Sequence, residues 1–156
     1  MSQVVEKIID FYRGFDQEPW PGLAEIYADN VVFQDPLHRI EGLSALTRYF
    51  EGTTKNINYC RFDIHDHHES AGTASLFWVM NFSHPRLKKG KPLTLEGMSH
   101  LRFDEKINFH RDYYDMGEML YEHIPLLGAL VRRLKVNIAS AGDTNDGESI
   151  FVVCFT

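Results

Sequence analysis

The stretch NVVFQDP at residues 30–36 places an acid at the point where a β-strand must end. The residues before the acid favour a strand, and Pro36 lacks the backbone donor that would continue it. Because side chains alternate along a strand, Asp35 lies on the same face as Phe33. If that face is the core, burial would raise the pKa of Asp35 and make it a candidate base or water-activating group. The alternative is an Asp that caps the turn at the strand end.

Histidines and cysteines, common ligands of transition metals, form no recognisable metal motif in this sequence. In the run HDHH at residues 65–68, His65 and His67 alternate onto one face of a strand, but a third ligand with suitable spacing is lacking. We therefore interpret the run as a solvated strand end, and we expect neither a metal nor another cofactor. Cys60 and Cys154 are far apart and favour reduced thiols in a cytoplasmic protein.

Helical patterns come first in the chain and strand patterns come later, an order typical of an α+β fold. Apolar residues recur at helical spacing over residues 2–15, and shorter helical patterns follow at 23–27 and 41–53. Four β-like stretches come next, at residues 57–68, 72–84, 91–103 and 106–115. Their short, turn-rich connections favour antiparallel neighbours. The sequence therefore predicts a curved antiparallel sheet with the helices packed on one face.

The C-terminal part divides into a helical segment and a tail. Pro125 is expected to split the helical segment, giving a second helix from about residue 125 to 138. The apolar stripe of this helix predicts docking on its own domain or on a second subunit, in preference to a membrane surface. We predict one domain at residues 1–140, followed by a polar linker and an apolar tail at 141–156 whose role the sequence leaves open.

Composition and charge argue against some classes of partner. The chain has 156 residues and a formal net charge of −6, so no nucleic-acid partner is expected, because phosphate binding needs a basic surface. No apolar run approaches the roughly 20 residues that span a bilayer, so a membrane partner is not expected either. Aromatic residues make up 13% of the chain, which suits a pocket for a small apolar organic molecule and equally an ordinary core.

Four stretches carry a resemblance to a known superfamily: IYADNVVFQDP, IEGLSALTRYF, GMSHLRFDEKI and HRDYYD. Together they cover roughly residues 4–116, and they resemble the nuclear-transport-factor-2-like superfamily, nearest its SnoaL-like group. That superfamily includes ketosteroid isomerases, polyketide cyclases and enzymes similar to limonene-epoxide hydrolase. The resemblance implies a cone-shaped, cystatin-like fold in which a curved sheet and helices enclose a deep pocket. It places Asp35 at the position of the proton-shuttling base of ketosteroid isomerases.

The sequence departs from the ketosteroid isomerases at two positions. Ser99 stands where they have an oxyanion-hole acid, and a serine is not the protonated carboxylic acid on which that chemistry depends. Their catalytic tyrosine aligns with Phe11 without a gap, and with Tyr12 only if one residue is gapped. Steroid isomerase activity is therefore not expected.

The resemblance also indicates which residues of the last strand face the pocket. It sends His110, Asp112 and Tyr114 inward, and it makes Asp112 a candidate acid or base with His110 as its partner. Two carboxylates in one pocket would separate their pKa values. The structural alternatives are an ion pair between Asp112 and an arginine of a neighbouring strand, and a hydrogen-bonded core role for His110.

The remaining candidate ligand-binding residues are aromatic, or lie close to the two acids. Phe33, Ser99 and Leu101 share the predicted interior face with the acids. His38 follows the Asp-Pro turn, where it could close the mouth of the pocket. The other side chains expected to line the pocket or the core are Tyr12, Trp20, Tyr27, Trp78 and Met80.

Two functions remain open from the sequence. The first is a small enzyme without a cofactor that performs proton transfer or water addition on a small organic molecule, as an isomerase, a cyclase or a hydrolase. Asp35 would be its base, with Asp112 and His110 as the acid and the orienting partner. The second is a non-catalytic ligand-binding or protein-interaction domain, because the fold serves both uses. Exposed aromatic residues such as Tyr113 predict a homodimer, in which a second subunit covers one face of the sheet as it often does in the superfamily.

Overall fold

The computed structural model describes residues 1–120 and 127–142, which form five α-helices and one six-stranded sheet. The helices are α1 (Gln3–Arg13), α2 (Leu23–Ile26), α3 (Leu43–Lys55), α4 (Met116–Met119) and α5 (Leu127–Gly142). The strands are β1 (Tyr27–Gln34), β2 (Arg39–Glu41), β3 (Tyr59–Ser70), β4 (Thr73–Ser83), β5 (Leu93–Phe103) and β6 (Ile107–Tyr114). The α+β fold class predicted from the sequence is confirmed.

The strand order in the sheet is β2-β1-β6-β5-β4-β3, and the pairing of β1 with β6 is parallel while the other pairings are antiparallel. In the parallel pair Phe33 lies opposite His110, and Gln34 lies opposite Arg111. The next residues along the chain are Asp35 and Asp112. The parallel pairing, which the sequence pattern did not reveal, thus brings both acids to the same end of the sheet.

Helix α1 covers the sheet with a wide apolar face. Ser2 caps its N-terminus by accepting a hydrogen bond from the Val5 amide. Phe11 and Tyr12 are both buried, but they point to different neighbours. Phe11 contacts the aromatic rings of the helical layer, whereas the Tyr12 ring lies 4.8 Å from that of Phe62 on β3. Of the two residues that could match the catalytic tyrosine of ketosteroid isomerases, Tyr12 is therefore the one that faces the sheet.

A tight hairpin that the sequence did not reveal joins β1 to β2. The Asp35 amide donates to the His38 carbonyl at 3.0 Å and closes the turn. Gly42 then adopts a φ of 89°, which favours glycine, and α3 begins at the following residue. Pro36 ends β1, and a strand of only three residues after it leaves little alternation for the sequence to show.

The apolar face of helix α5 is more exposed than docking on its own domain would leave it. Helix α5 is tied to the domain by Lys135, whose Nζ lies 2.5 Å from a carboxylate oxygen of Asp115. Its apolar stripe is nevertheless at least 40% exposed at Leu127, Leu130 and Leu134. These side chains do not dock on their own domain, contrary to one of the two expected arrangements. Pro125 and the tail at 143–156 lie outside the described residues, so the division into domain and tail stays a prediction.

The part of the chain that the structure describes contains no helix long and apolar enough to cross a membrane.

Gly97 on β5 provides the space that the Trp78 side chain occupies. A Cβ atom at position 97 would lie 2.2 Å from the Trp78 ring, closer than van der Waals contact allows. The ring is only 2% exposed, and its Nε1 donates to Ser99 Oγ at 2.9 Å. The glycine therefore fixes where this indole lies, and the indole in turn contacts the neighbouring strand.

We predict that Gly97→Ala lowers the free energy of unfolding by about 1–3 kcal/mol, because the added methyl group overpacks against the Trp78 ring. Gly52→Ala is the matched control. Gly52 lies inside α3 with open space around it, so this change should raise stability by about 0.5–1 kcal/mol. Denaturant melts measure both changes. A Gly97→Ala protein as stable as the wild type would show that the ring is not held against Gly97.

Candidate functional site

A cavity of about 90 Å³ lies between the inner face of the sheet and helices α1 and α3. The residues of its wall that the sequence predicted are Tyr12, Phe33, Asp35, Trp78, Met80, Asp112 and Tyr114. The wall is completed by Phe15, Tyr49, Phe50, Thr53, Cys60, Phe62 and Met119. An open groove that includes Pro36, Arg111 and Tyr113 shares Asp35, Asp112 and Tyr114 with the cavity. Both acids therefore lie where the cavity meets the surface.

Asp112 is held by two hydrogen bonds to the same carboxylate oxygen. Ser99 Oγ donates to Oδ1 at 2.5 Å, and His110 Nε2 lies 2.8 Å from Oδ1. Trp78 Nε1 donates to Ser99 Oγ, and since an indole N–H can only donate, the Ser99 hydroxyl proton is available for Asp112. Among the described residues, no hydrogen-bond partner contacts Oδ2. The carboxylate is thus fixed at one oxygen and open at the other.

His110 is fully buried and uses both of its ring nitrogens. Tyr27 Oη lies 2.8 Å from Nδ1, and Asp112 Oδ1 lies 2.8 Å from Nε2. Because an ionised carboxylate can only accept, these partners assign the ring proton to Nε2, and Nδ1 accepts from Tyr27. Burial, and then the charge of Asp112, raise the pKa of Tyr27 well above its usual value. The Tyr27 hydroxyl therefore stays protonated and can donate to His110.

Two further tyrosine hydroxyls lie near Asp112. Tyr12 Oη is 3.3 Å from His110 Nε2, and burial followed by the charge of Asp112 raises the pKa of Tyr12 well above its usual value. Burial and the charges of the two acids also raise the pKa of Tyr114. No hydrogen-bond partner of the Tyr114 hydroxyl is found in residues 1–120 and 127–142. Because Tyr12 also hydrogen-bonds to Tyr27, the Tyr114 hydroxyl is the protonated group of the described wall that can donate to a ligand.

Asp35 both lines the cavity and caps the turn between β1 and β2. Its side chain is 3% exposed, and its Oδ1 accepts from the amides of Leu37 and His38, each at 2.7 Å. Tyr49 Oη donates to Oδ2 at 2.5 Å, and His38 Nδ1 lies 3.1 Å from both oxygens. The pocket-facing and turn-capping interpretations of the sequence therefore describe the same side chain.

The raised pKa expected for Asp35 from the sequence is wrong. Burial does raise the pKa of this carboxyl, as expected. The hydrogen bonds from Tyr49, from the Leu37 amide and from His38 together outweigh burial and lower the pKa below its usual value. Asp35 is therefore ionised, and both of its oxygens are occupied by partners within the protein.

A family model described as SnoaL-like domain matches residues 8–110. The chain belongs to the SnoaL-like domain family. This agrees with the resemblance carried by the four sequence stretches. A search of curated proteins gives no match to the chain.

Solved structures show the same fold for this SnoaL-like domain. A nuclear-transport-factor-2-like protein of unknown function from Burkholderia pseudomallei is 18% identical, with a TM-score of 0.69 over 77% of this chain and 96% of that one. A Catenulispora acidiphila protein with a ketosteroid isomerase-like fold, in complex with trimethylamine, is 15% identical, with a TM-score of 0.66 over 74% and 89% of the two chains. An epoxide hydrolase from M. tuberculosis, similar to limonene-epoxide hydrolase, is 16% identical, with a TM-score of 0.65 over 83% and 96%. At these identities the likeness shows the fold alone.

Three residues predicted for the site lie behind the cavity wall, on the far side of Asp112. Ser99 and His110 are fully buried and contact the Asp112 carboxylate directly. Tyr27 is also fully buried and contacts His110. Ligand contact by Ser99 and Tyr27, and direct chemistry by His110, are therefore not supported. The three residues instead hold Asp112 in place.

Three other predicted residues are placed away from the cavity by local packing. The Trp20 ring stacks on the Phe50 ring within the helical layer, with their centres 6.0 Å apart. Leu101 is fully buried in the core beneath the sheet. His38 projects from the turn with its side chain 48% exposed and contacts Asp35 from outside. Contact with a ligand inside the cavity is therefore not supported for these residues.

Helix α3 supplies three of the seven described wall residues that the sequence interpretation missed. Tyr49, Phe50 and Thr53 all contribute to the wall, and their spacing places them on one helical face. A tyrosine within an otherwise apolar helix face was the signal, because a buried hydroxyl needs a partner. Cys60 of β3 also lines the cavity. Burial raises the pKa of its thiol to about 12, so it stays protonated at neutral pH.

The HDHH run does not form a metal site with its surroundings. The pairing of β3 with β4 is irregular between Ile64 and Asp66, which interrupts the alternation expected for His65 and His67. Within the described ranges, no group of three or more His, Cys, Asp or Glu side chains could hold a metal ion.

We predict that Asp35→Asn lowers the free energy of unfolding at pH 7 by about 1–2 kcal/mol, because the charged acceptor of the turn amides and Tyr49 is lost. The pKa of Asp35 is lowered by folding, so its stabilisation is complete above the unfolded-state pKa of about 3.9 and is lost as the pH falls through the folded value. The difference between the wild type and the variant should therefore shrink below about pH 4.

Denaturant melts between pH 3 and pH 7 measure this difference. Asp63→Asn is the control, because Asp63 is exposed on β3 and no hydrogen bond is found for it among the described residues. An Asp35→Asn protein that is as stable as the wild type at pH 7, or more stable, would contradict the turn-capping role.

Proposed function

We propose that this SnoaL-like domain is a small enzyme that removes a proton from a small organic molecule, or from a water molecule that adds to it, with Asp112 as the general base. The observation that supports the proposal is the state of the Asp112 carboxylate. One of its oxygens is fixed by Ser99 and His110, and the other has no partner in the part of the chain that the structure describes. A base needs this combination of fixed orientation and a free lone pair.

In the proton-transfer form of the proposal, Asp112 Oδ2 takes a proton from a carbon next to a carbonyl group. The electron pair of the broken C–H bond forms a carbon–carbon double bond, the π electrons of the carbonyl group move to its oxygen, and the Tyr114 hydroxyl donates a hydrogen bond to that oxygen. Return of the proton to another carbon completes an isomerisation. Attack of the enolate carbon on a second carbonyl, whose oxygen then takes the proton from Asp112, completes a cyclisation. In the water-addition form, Asp112 Oδ2 takes a proton from a water molecule as the water oxygen attacks an epoxide carbon. The ring C–O bond breaks, and the released alkoxide takes the proton from Asp112.

The proposal assigns Asp35 a different role from the one expected from the sequence. Its oxygens already accept from Leu37, His38 and Tyr49, and its lowered pKa makes it a weak base. Asp35 instead holds the Tyr49 hydroxyl and keeps a negative charge at the cavity wall. Burial, and then the hydrogen bond to Asp35, raise the pKa of Tyr49, so that hydroxyl remains a donor to Asp35.

The alternative is a non-catalytic ligand-binding or protein-interaction domain. One observation favours it: Asp35, the acid at the position of the base of ketosteroid isomerases, is bonded entirely to structural partners. In that case the cavity would bind a small molecule, and Asp112 would orient it without removing a proton.

Hydrogen–deuterium exchange at carbon tests the proposal without knowledge of the product. A panel of small ketones and aldehydes is incubated with the protein in D₂O, and C–H loss is followed by NMR. We expect at least one member to exchange faster than in buffer, and Asp112→Asn should slow that exchange by about a hundredfold or more. Asp35→Asn should have a smaller effect. A parallel panel of epoxides tests water addition with the same variants.

Asp63→Asn is again the control, and it should leave the exchange rate unchanged because Asp63 is exposed on β3. Exchange that persists in Asp112→Asn would remove Asp112 from the role of base. Binding of panel members without any exchange or hydrolysis would favour the non-catalytic alternative.

The homodimer expected from the sequence stays a prediction. Tyr113 is 44% exposed, and the Arg111 guanidinium lies over its ring at 4.7 Å from the ring centre. This aromatic surface, on the strand face opposite His110 and Asp112, is available to a second copy. We expect a dimer at micromolar concentration. Sedimentation that detects only an 18.1 kDa species would contradict it.

A further inference from the structure

The cavity wall consists mainly of aromatic side chains and includes two acids. Of the fourteen described residues that line it, eight are aromatic and two are acids. The wall includes no lysine, arginine or histidine from the described residues. The Arg111 side chain belongs to the outer groove, where its guanidinium lies over the Tyr113 ring.

The two acids give this small space a negative charge. Asp35, whose pKa is lowered, accepts hydrogen bonds at both oxygens, and Asp112 lies within hydrogen-bond distance of the donors Ser99 and His110, so both side chains act as carboxylate acceptors. Two histidines are close enough to offset this charge. Neither belongs to the wall, because His110 is fully buried behind Asp112 and His38 lies outside with its side chain 48% exposed.

An aromatic wall and buried carboxylates together favour a positively charged ligand. The negative faces of aromatic rings attract cations, and the attraction grows when water is excluded. An anionic ligand would instead be desolvated beside two negative charges, with no basic residue of the wall to pair with it.

We infer that the cavity binds a small organic cation, an alkylammonium group, held among the aromatic rings and next to Asp112. The inference deepens the proposed function, because it names the class of substrate for the same site. An ammonium group also makes the C–H bonds near it more acidic, so a substrate that carries one suits removal of a proton by Asp112. The cavity of about 90 Å³ restricts the group to a few carbon atoms.

Three probes of nearly the same shape but different charge test the inference. The first is the cation choline. The second is the neutral alcohol 3,3-dimethylbutan-1-ol (here dimethylbutanol), in which carbon replaces the nitrogen, and the third is the anion 3,3-dimethylbutanoate. Titration of the isotopically labelled wild-type protein at constant ionic strength gives the three dissociation constants from amide shifts. We expect choline to bind at least about tenfold more tightly than dimethylbutanol, and we expect no binding of the anion.

Two variants test whether Asp112 causes the preference for choline over dimethylbutanol. Asp112→Asn should reduce the preference for choline over dimethylbutanol about tenfold, because a carboxylate next to the cation is lost. Asp63→Asn is the matched control, since it makes the same change at a carboxylate that is exposed on β3, and it should retain the preference. Equal loss of preference in both variants would contradict the role of Asp112 in charge selection.

Neutral dimethylbutanol binding as tightly as choline, or no binding by any of the three probes, would overturn the inference. These failures are distinguishable from failure of the proposed function. Asp112-dependent exchange of neutral ketones without preference for choline would leave the general base intact and reject only the cation. Selective choline binding without exchange of any carbon acid would keep the cation site and reject catalysis.

Discussion

A buried imidazole that lies between a carboxylate and a tyrosine hydroxyl has its ring proton assigned by those partners. His110 is in this position, with Asp112 at Nε2 and Tyr27 at Nδ1. The hydrogen bond from His110 to Asp112 has two consequences. It fixes the orientation of the carboxylate, and together with the Ser99 hydroxyl it occupies a single oxygen. The free oxygen that Asp112 presents to the cavity depends on this arrangement.

Three features of the backbone position the two acids and their donors: one strand pairing, one glycine and one turn. The parallel pairing of β1 with β6 brings Asp35 and Asp112 to the same end of the sheet. Gly97 lets the Trp78 ring lie close to β5, where its Nε1 directs the Ser99 hydroxyl to Asp112. The turn after β1 satisfies Asp35 with local amides, which leaves this acid charged but without a free oxygen. The two acids of one cavity therefore differ in role because their donors differ.

Much of the fold could be predicted from the chain, because it depends on local periodicity. The buried face of α1 and the four long strands follow from the spacing of apolar residues, whereas the inward direction of Asp112 came from the resemblance to the superfamily. The pairing of β1 with β6 could not be predicted in this way, because it joins segments more than seventy residues apart in the sequence. No local pattern records which distant strands pair.

The state of Asp35 was missed for a different reason. Burial alone predicts a raised pKa, and the position of Asp35 relative to Phe33 correctly indicated burial. The donors that reverse the shift come from two places. The amides of Leu37 and His38 belong to the Asp-Pro turn and were foreseeable as its turn-capping alternative, whereas the Tyr49 hydroxyl comes from α3 and requires knowledge of the packing. Sequence reasoning therefore located the acid but not its charge state.

The position of the ring proton on His110 tests the account most directly. Long-range ¹H–¹⁵N NMR correlations of the histidine rings distinguish a proton on Nε2 from one on Nδ1, and Tyr27→Phe assigns the His110 signals because it removes the partner of Nδ1. The account predicts a single tautomer at neutral pH, with the proton on Nε2 and an unprotonated Nδ1 that accepts from Tyr27. A proton on Nδ1, alone or in a mixture of tautomers, would contradict it, because Asp112 would then lose the donor that fixes its Oδ1.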